Sequence, residues 1–289
     1  MEIAPASQVI EMEDNPARAF KDKPDASMTV GLRLLKEGRG GAFVSAGSTG
    51  ALLSAATLLI KRIRGIRRAA LAPVVPNAGG NMVLIDCGAT AEGTPEYLLQ
   101  FAFMGAYYAR RFLGIENPRV GLLNIGTEPS KGMELQKAAH ALLTQAHEAG
   151  RIRFVGNIEG REAISQGAAD VLVTDGFTGN IFLKTVEGAA SLFSHALKDM
   201  LLGSTKNKLA ALLLKNSIGA FKKRFDANEV GGTALLGISQ PVIKAHGSSN
   251  AYAFFNAIRQ AQVVAQADIV GDIAANVAHM RLEPGEKEG

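Results

Sequence analysis

Five times in this chain a polar turn carrying glycine interrupts a run of apolar residues. The turns are "SAGSTGA" (45–51), "DCGAT" (86–90), "NIGTEPSKG" (124–132), "GNIEG" (156–160) and "DGFTGN" (175–180). Each follows a short β-rich segment, and helical patterns alternate with those segments, as in a parallel sheet covered by helices. The candidate strands are residues 41–46, 69–75, 81–87, 119–125, 152–155 and 171–174. Several are apolar on consecutive positions, as strands buried on both faces are. Helical periodicity covers residues 27–36, 49–62, 95–112, 131–149, 180–201, 206–225 and 248–265, with Pro95 in a first turn, where proline is tolerated. In an open parallel sheet the carboxyl ends of the strands lie along one edge, and ligands bind there. Five glycine-bearing turns on one edge therefore predict a substantial cleft.

Composition narrows the choices. The 289 residues are 47% hydrophobic and 20% charged, enough for a sizeable core in one α/β domain or two lobes. The single cysteine, Cys87, excludes an internal disulfide and fits a reducing compartment. No early apolar run resembles a signal peptide, and glycine, serine and threonine interrupt the uncharged run 40–60 too often for a membrane span. A net charge of +4 is a mild preference for anionic partners and no nucleic-acid signature. A soluble cytoplasmic protein is expected.

The turns differ in what they offer. In Gly47-Ser48-Thr49-Gly50, free backbone N–H groups at a helix start and two hydroxyls make a phosphate seat, or else a tight turn in which Ser48 or Thr49 caps the helix. It is neither a Walker loop nor a GxGxxG fingerprint, so a nucleotide has little support. In "DGFTGNIFLK", Asp175 reads as a cap, while Lys184 lies about one turn beyond Gly179 and Asn180 and either is solvated or reaches back toward a phosphate-like anion seated on Gly179 and Asn180. Lys131 repeats the pattern, opening a helix after a strand. A cation at a helix N-terminus costs a few tenths of a kcal/mol against the macrodipole, which an anionic ligand offsets. Two such lysines point to a phosphate-like ligand. In "IKAHGSSN" (243–250), His246 reads as a general acid or phosphate-orienting group, and Ser248 or Ser249 as a cap that also donates to an anion. A polar turn with a solvated histidine remains the alternative. No G-x-S-x-G nucleophile elbow occurs. His140, His147, His195 and His279 fall inside helical patterns without metal-ligand spacing, so no metal is expected.

Residues 206–225 carry six basic residues and no acid. Leu214, Ile218, Phe221 and Phe225 share a helical stripe edged by Lys208, Lys215 and Lys222. The pattern suits a helix on an anionic membrane surface, or one packed on its own core or a second subunit, with Gly219 as a break. Arg62, Arg64, Arg67 and Arg68 read first as an ordinary solvated face, and alternatively as a face for an acidic partner.

Taken in order, "VSAGSTGALL", "YLLQFAFMGAYYA", "RVGLLNIGTEPSKG", "FVGNIEGRE", "DVLVTDGFTGNIFLKTVEG", "GGTALLG" and "KAHGSS" resemble the phosphate acyltransferase family of bacterial phospholipid synthesis (PlsX). The match runs from near Val9 to Asp268. "GSTGA" and "GNIFLK" also resemble elements of phosphate acetyl- and butyryltransferases. The resemblance implies a three-layer α/β fold with a mostly parallel sheet flanked by helices, like that of isocitrate and isopropylmalate dehydrogenases. It implies a single domain over 1–289 with an amphipathic excursion at 204–226. It also implies a homodimer, peripheral contact with the cytoplasmic membrane, and a membrane glycerol-3-phosphate acyltransferase as a neighbour. Family members begin with a further strand and an Asp-Ala-Met-Gly-Gly-Asp loop, and this chain begins after that point. Ser48, Thr90 and Met133 stand where asparagine is usual.

The implied reaction moves a fatty acyl group from acyl carrier protein to inorganic phosphate, with no cofactor. Phosphate dianion is already nucleophilic and a thiolate leaves readily. The protein has to place phosphate beside the carbonyl and stabilise the oxyanion, tasks that suit Lys184, Lys131, His246 and Asn180. Three rivals remain: a phosphate acetyl- or butyryltransferase using coenzyme A, a dehydrogenase of similar fold, and a truncated non-catalytic relative that binds membrane or acyl carrier.

Overall fold

The computed structural model describes residues 2–225 and 229–280. Its elements are α1 (Ala19–Asp22), α2 (Ser27–Lys36), β1 (Phe43–Ser45), α3 (Thr49–Ala55), β2 (Ala70–Ala72), β3 (Val74–Asn77) and β4 (Gly80–Ile85). Then follow α4 (Pro95–Phe112), β5 (Arg119–Asn124), α5 (Glu134–Glu148), β6 (Arg153–Glu159), α6 (Gly160–Ser165) and β7 (Val171–Val173). The last part comprises α7 (Gly176–Leu202), α8 (Thr205–Leu213), α9 (Lys215–Phe225), β8 (Gly232–Leu236), β9 (Val242–Ala245), α10 (Ala251–Gln266) and α11 (Ile269–Ala275).

The strands form two sheets where one was expected, in the orders β1-β9-β8-β2 and β3-β4-β7-β5-β6. The cause is Pro73, which splits the expected strand 69–75. Proline has no N–H for a ladder, so the chain bends there. Its first half, β2, pairs with β8, and its second half, β3, pairs with β4. Both sheets are mixed, with parallel pairs at β1–β9, β4–β7, β5–β7 and β5–β6. β8 and β9 are strands that periodicity does not reveal, because runs of four or five residues with little alternation are ambiguous.

Alternation then builds the layers. Along β4, Val83 and Ile85 face one apolar cluster while Met82 and Leu84 face another, and β7 divides Val171 and Val173 from Leu172 in the same way. The first cluster is dominated by α4, whose Leu98, Phe101, Phe103, Met104 and Tyr108 are almost fully buried. A Cβ at Gly105 would stand 2.5 Å from Val171 Cγ1, so only glycine lets α4 lie this close to the sheet. α2, α3 and α6 cover the other face. Helices on both faces of a partly parallel sheet make this a mixed α/β fold.

Several local expectations change. "GNIEG" lies mostly inside β6, where Gly156 has φ +94° and the β5–β6 register shifts, so it is an irregular strand and no strand-end turn. Lys131 does not open a helix. Gly132 at φ +89° and the bond from Asn124 Nδ2 to the Lys131 carbonyl (3.1 Å) close a turn first, and α5 starts at Glu134. The helix expected at 206–225 breaks at Leu214, the C-cap of α8, and Gly219 sits inside α9.

Candidate functional site

The carboxyl ends of β1, β4 and β9 converge on one cleft of about 1620 Å³, which residues of α7, from Asn180 onward, and of α9 also line. Gly47, Thr49, Gly50, Asn180, Lys184, His246, Ser248 and Ser249 all line it. So do two groups the sequence reading left out, Lys244 and Glu187. Lys131 lines neither this cleft nor the smaller cavity of about 430 Å³ beside Gly88, Asn180 and Lys184. Ser48 lies beneath the surface, where its hydroxyl caps α3 by accepting from the Ala51 N–H.

The α7 end is held by packing. Asp175 is the N-cap, accepting from the Thr178 N–H (2.9 Å) and hydroxyl (2.7 Å), so a carboxylate of the chain itself already meets the helix dipole. The glycines have another role. A Cβ at Gly176 would stand 2.4 Å from the Thr90 carbonyl oxygen, and one at Gly179 only 1.9 Å from that of Asp86. Both positions let α7 press onto the "DCGAT" loop. That loop is organised by Asp86, which is fully buried and accepts from the N–H groups of Leu71, Cys87, Ala89 and Thr90. Burial raises the Asp86 carboxyl to about 6, against the opposing pull of those four donors. Gly88, at φ +116°, leaves room for the Asn180 side chain.

Cys87 lines the same cleft, but its thiol donates to the Gly179 carbonyl (3.5 Å). Burial, reinforced by Asp86, pushes that thiol far above its ordinary value. It stays protonated, and a protonated thiol is a poor nucleophile.

The cationic groups come from two directions. Lys184 projects from α7 and holds Glu187 at 2.7 Å, an ion pair about half exposed on both sides and therefore worth little. Lys244 is carried by β9, whose parallel pairing sets it opposite Ser45 of β1. Its ammonium donates to the Ala245 carbonyl. Burial lowers its pKa, and the Lys184 ammonium lowers it further, so two cations crowd one cleft. An anion between them would relieve that repulsion. His246 accepts at Nδ1 from the Ser248 N–H (3.2 Å) and meets the Ser248 hydroxyl at 2.7 Å. A backbone N–H can only donate, so the neutral ring carries its proton on Nε2. The cap of α10 is Asn250, accepting from the Ala253 N–H, and neither Ser248 nor Ser249. Ser249 Oγ is buried without a hydrogen-bond partner in the structure, leaving it free for a ligand.

The arm beyond the cleft is exposed. α8 buries no residue, and Leu209, Leu212, Leu213 and Leu214 are all more than half exposed. Lys208 and Lys215 are exposed and Ile218 is half-buried, while the side chains of Lys222 and Phe225 lie outside the described residues. Phe221 lines the cleft, so the expected stripe of Leu214, Ile218 and Phe221 does not all face outward. Arg62, Arg64, Arg67 and Arg68 precede β2, which is an edge strand of its sheet, and none of the four lines the cleft. Among the described residues no helix is long and apolar enough to cross a membrane, and no three His, Cys, Asp or Glu side chains gather as metal ligands.

Comparison with known proteins bears on the fold and on the family. In the solved structures, an EutD phosphotransacetylase from Staphylococcus aureus matches at TM-score 0.56 and 19% identity, over 88% of this chain and 71% of the other. A branched-chain phosphotransacylase from Enterococcus faecalis V583 matches at 0.53 and 17%, over 86% and 80%. At such identities the likeness shows the fold alone. Sequence relatives are nearer. A phosphate acyltransferase from Staphylococcus aureus (strain bovine RF122 / ET3-1) is 48% identical over 271 residues, 93% of this chain and 81% of that protein. One from strain MRSA252 is 47% identical over the same span. The family model described as fatty acid synthesis protein matches residues 1–271, and the chain belongs to that family.

Proposed function

We propose that this chain transfers a fatty acyl group from the thioester of an acyl carrier protein to inorganic phosphate, releasing acyl phosphate for phospholipid synthesis. The observation that carries the reading is the meeting of Lys184, Lys244, Asn180 and His246 on one cleft whose thiol, Cys87, is held protonated. Lys184 and Lys244 hold the phosphate, with Ser249 Oγ and the Gly47–Gly50 turn beside it. A phosphate oxygen attacks the thioester carbonyl carbon. The developing oxyanion accepts from Asn180 Nδ2 and His246 Nε2–H, and its collapse breaks the C–S bond to release thiolate. Donors fixed in place before reaction stabilise that charge with little reorganisation. Lys131, outside the cleft, has no part in this scheme.

The same reading takes the chain as one domain over 1–289 of the isocitrate/isopropylmalate dehydrogenase-like kind, working as a cytoplasmic homodimer. The exposed leucines of α8 rest on the membrane, where a glycerol-3-phosphate acyltransferase takes up the product. The test is phosphate-dependent conversion of acyl-acyl carrier protein to acyl phosphate, run beside the matching coenzyme A thioester. Turnover that needs phosphate and favours the carrier-bound donor supports the reading. Preference for the coenzyme A thioester would replace the donor, and no turnover with either would overturn the reading.

A further inference from the structure

The cleft changes character away from its polar end. Along α7 its wall includes Leu183, Val186, Ala190 and Phe193, spaced to lie along one face of the helix and flanked by Glu187, Ala189 and Ser194, with Phe221 of α9 also lining it. Phe193 is 71% exposed and Phe221 49%, so this is apolar surface left in water. Surfaces of that kind, rimmed by polar groups, are binding sites. Continuity decides the occupant here. The carbonyl carbon that reacts beside Lys184, Lys244 and His246 carries its alkyl chain covalently, and the chain has to leave along a wall contiguous with that end. The α7 face is such a wall and belongs to the same cleft.

We infer that Leu183, Val186, Ala190, Phe193 and Phe221 form the lane for the donor's alkyl chain and set the acyl length the protein accepts. The inference rests on the acyl-transfer reading above. The lane has a length. From Lys184 to Phe193 is about 14 Å along α7, which holds roughly eleven extended methylenes at a C–C bond of about 1.5 Å. Ala190 lies about 9 Å from Lys184 on the same scale, at roughly the seventh methylene. It is the small residue of the row, so bulk added there closes the lane midway.

Straight-chain alkylphosphonates of graded length, titrated calorimetrically into the full chain, test this directly, because the phosphonate occupies the lysine end. Affinity should rise about fourfold per methylene, levelling off near eleven. In Ala190→Phe the rise should stop near seven, with shorter probes bound as before. In Phe193→Ala the loss should be confined to the longest probes, which keeps the test open if the first variant fails to fold. Affinity independent of length in the unsubstituted chain would overturn the lane. So would an equal loss at every length in Ala190→Phe. If that equal loss came with a changed mass by light scattering, the face belongs to a second copy of the chain. Turnover of acyl-acyl carrier protein is measured separately, so a missing reaction with intact length-dependent binding would remove the function and leave the lane.

Discussion

Gly179 offers the sharpest separation of packing from helix propensity. Alanine for glycine inside an exposed helix normally stabilises it by about 1 kcal/mol. Gly188, about two and a half turns along the same helix, has no atom within 4 Å of an added Cβ, so Gly188→Ala should follow that rule. Its thermal midpoint should rise by about 2 °C. Gly179→Ala should do the opposite. Its Cβ would lie 1.9 Å from the Asp86 carbonyl oxygen and 2.8 Å from Thr174 Cγ2. Contacts below 3.0 Å do not persist, so α7 would have to withdraw by at least about 1.1 Å. Overpacking of this kind costs about 1–3 kcal/mol, and backbone against backbone belongs at the upper end. After the propensity gain, a net loss near 2 kcal/mol should lower the midpoint by about 4 °C. The same withdrawal carries Asn180 and Lys184 outward by about 1 Å, which should lower kcat/KM by roughly a hundredfold. Thermal denaturation and steady-state kinetics on both variants check this. If Gly179→Ala proves as stable and active as Gly188→Ala, α7 does not press on the Asp86 loop and the explanation of the glycines fails.

The other predictions concern charge. Lys244→Met should raise the KM for phosphate by about ten- to a hundredfold, the worth of one hydrogen bond to a charged group, with a smaller change in the KM for the acyl donor. Glu187→Gln removes a carboxylate from the cleft and frees Lys184, so phosphate dianion should bind up to about tenfold more tightly, as expected for removing one unit charge about 6 Å from a dianion in water; weaker binding would make Glu187 a positive contributor. The Asp86 carboxyl, raised to about 6 from an unfolded value near 3.8, favours the folded chain at low pH. That contribution is fully present below the unfolded pKa and is lost as pH rises through 6, by roughly 3 kcal/mol. Asp86→Asn should be less stable throughout, since an amide nitrogen then faces backbone donors, and should lack this slope. Melting both proteins from pH 4 to 8 measures it, and parallel curves would contradict the burial argument.

Much of this was readable from residue order, and the rest was not, for identifiable reasons. Strands that end in glycine-bearing turns announce themselves, which is why Gly47, Asn180, Lys184 and His246 stand out from residue order alone. Lys244 lies in a quoted motif yet goes unassigned, because its direction depends on β9 being a strand parallel to β1, a pairing about two hundred residues apart. The glycines of "DGFTGN" read as an anion seat when considered locally. Their actual partners, Asp86 and Thr90, are brought in by the neighbouring strand and are invisible to a local window. Lys131 fails in the opposite way. Local periodicity started the helix too early, and Gly132 at positive φ closes a turn that periodicity does not encode. The split at Pro73 follows from proline chemistry, but which half joins which sheet is decided only by β8 and β4.

The central claim is that phosphate itself attacks the thioester in the cleft, without an acylated protein. Mass spectrometry of the chain, quenched after mixing with acyl-acyl carrier protein in the absence of phosphate, tests it most directly. The account predicts an unchanged protein mass, and acyl phosphate appearing only once phosphate is added. A protein heavier by one acyl group, formed and discharged fast enough to lie on the pathway, would contradict it.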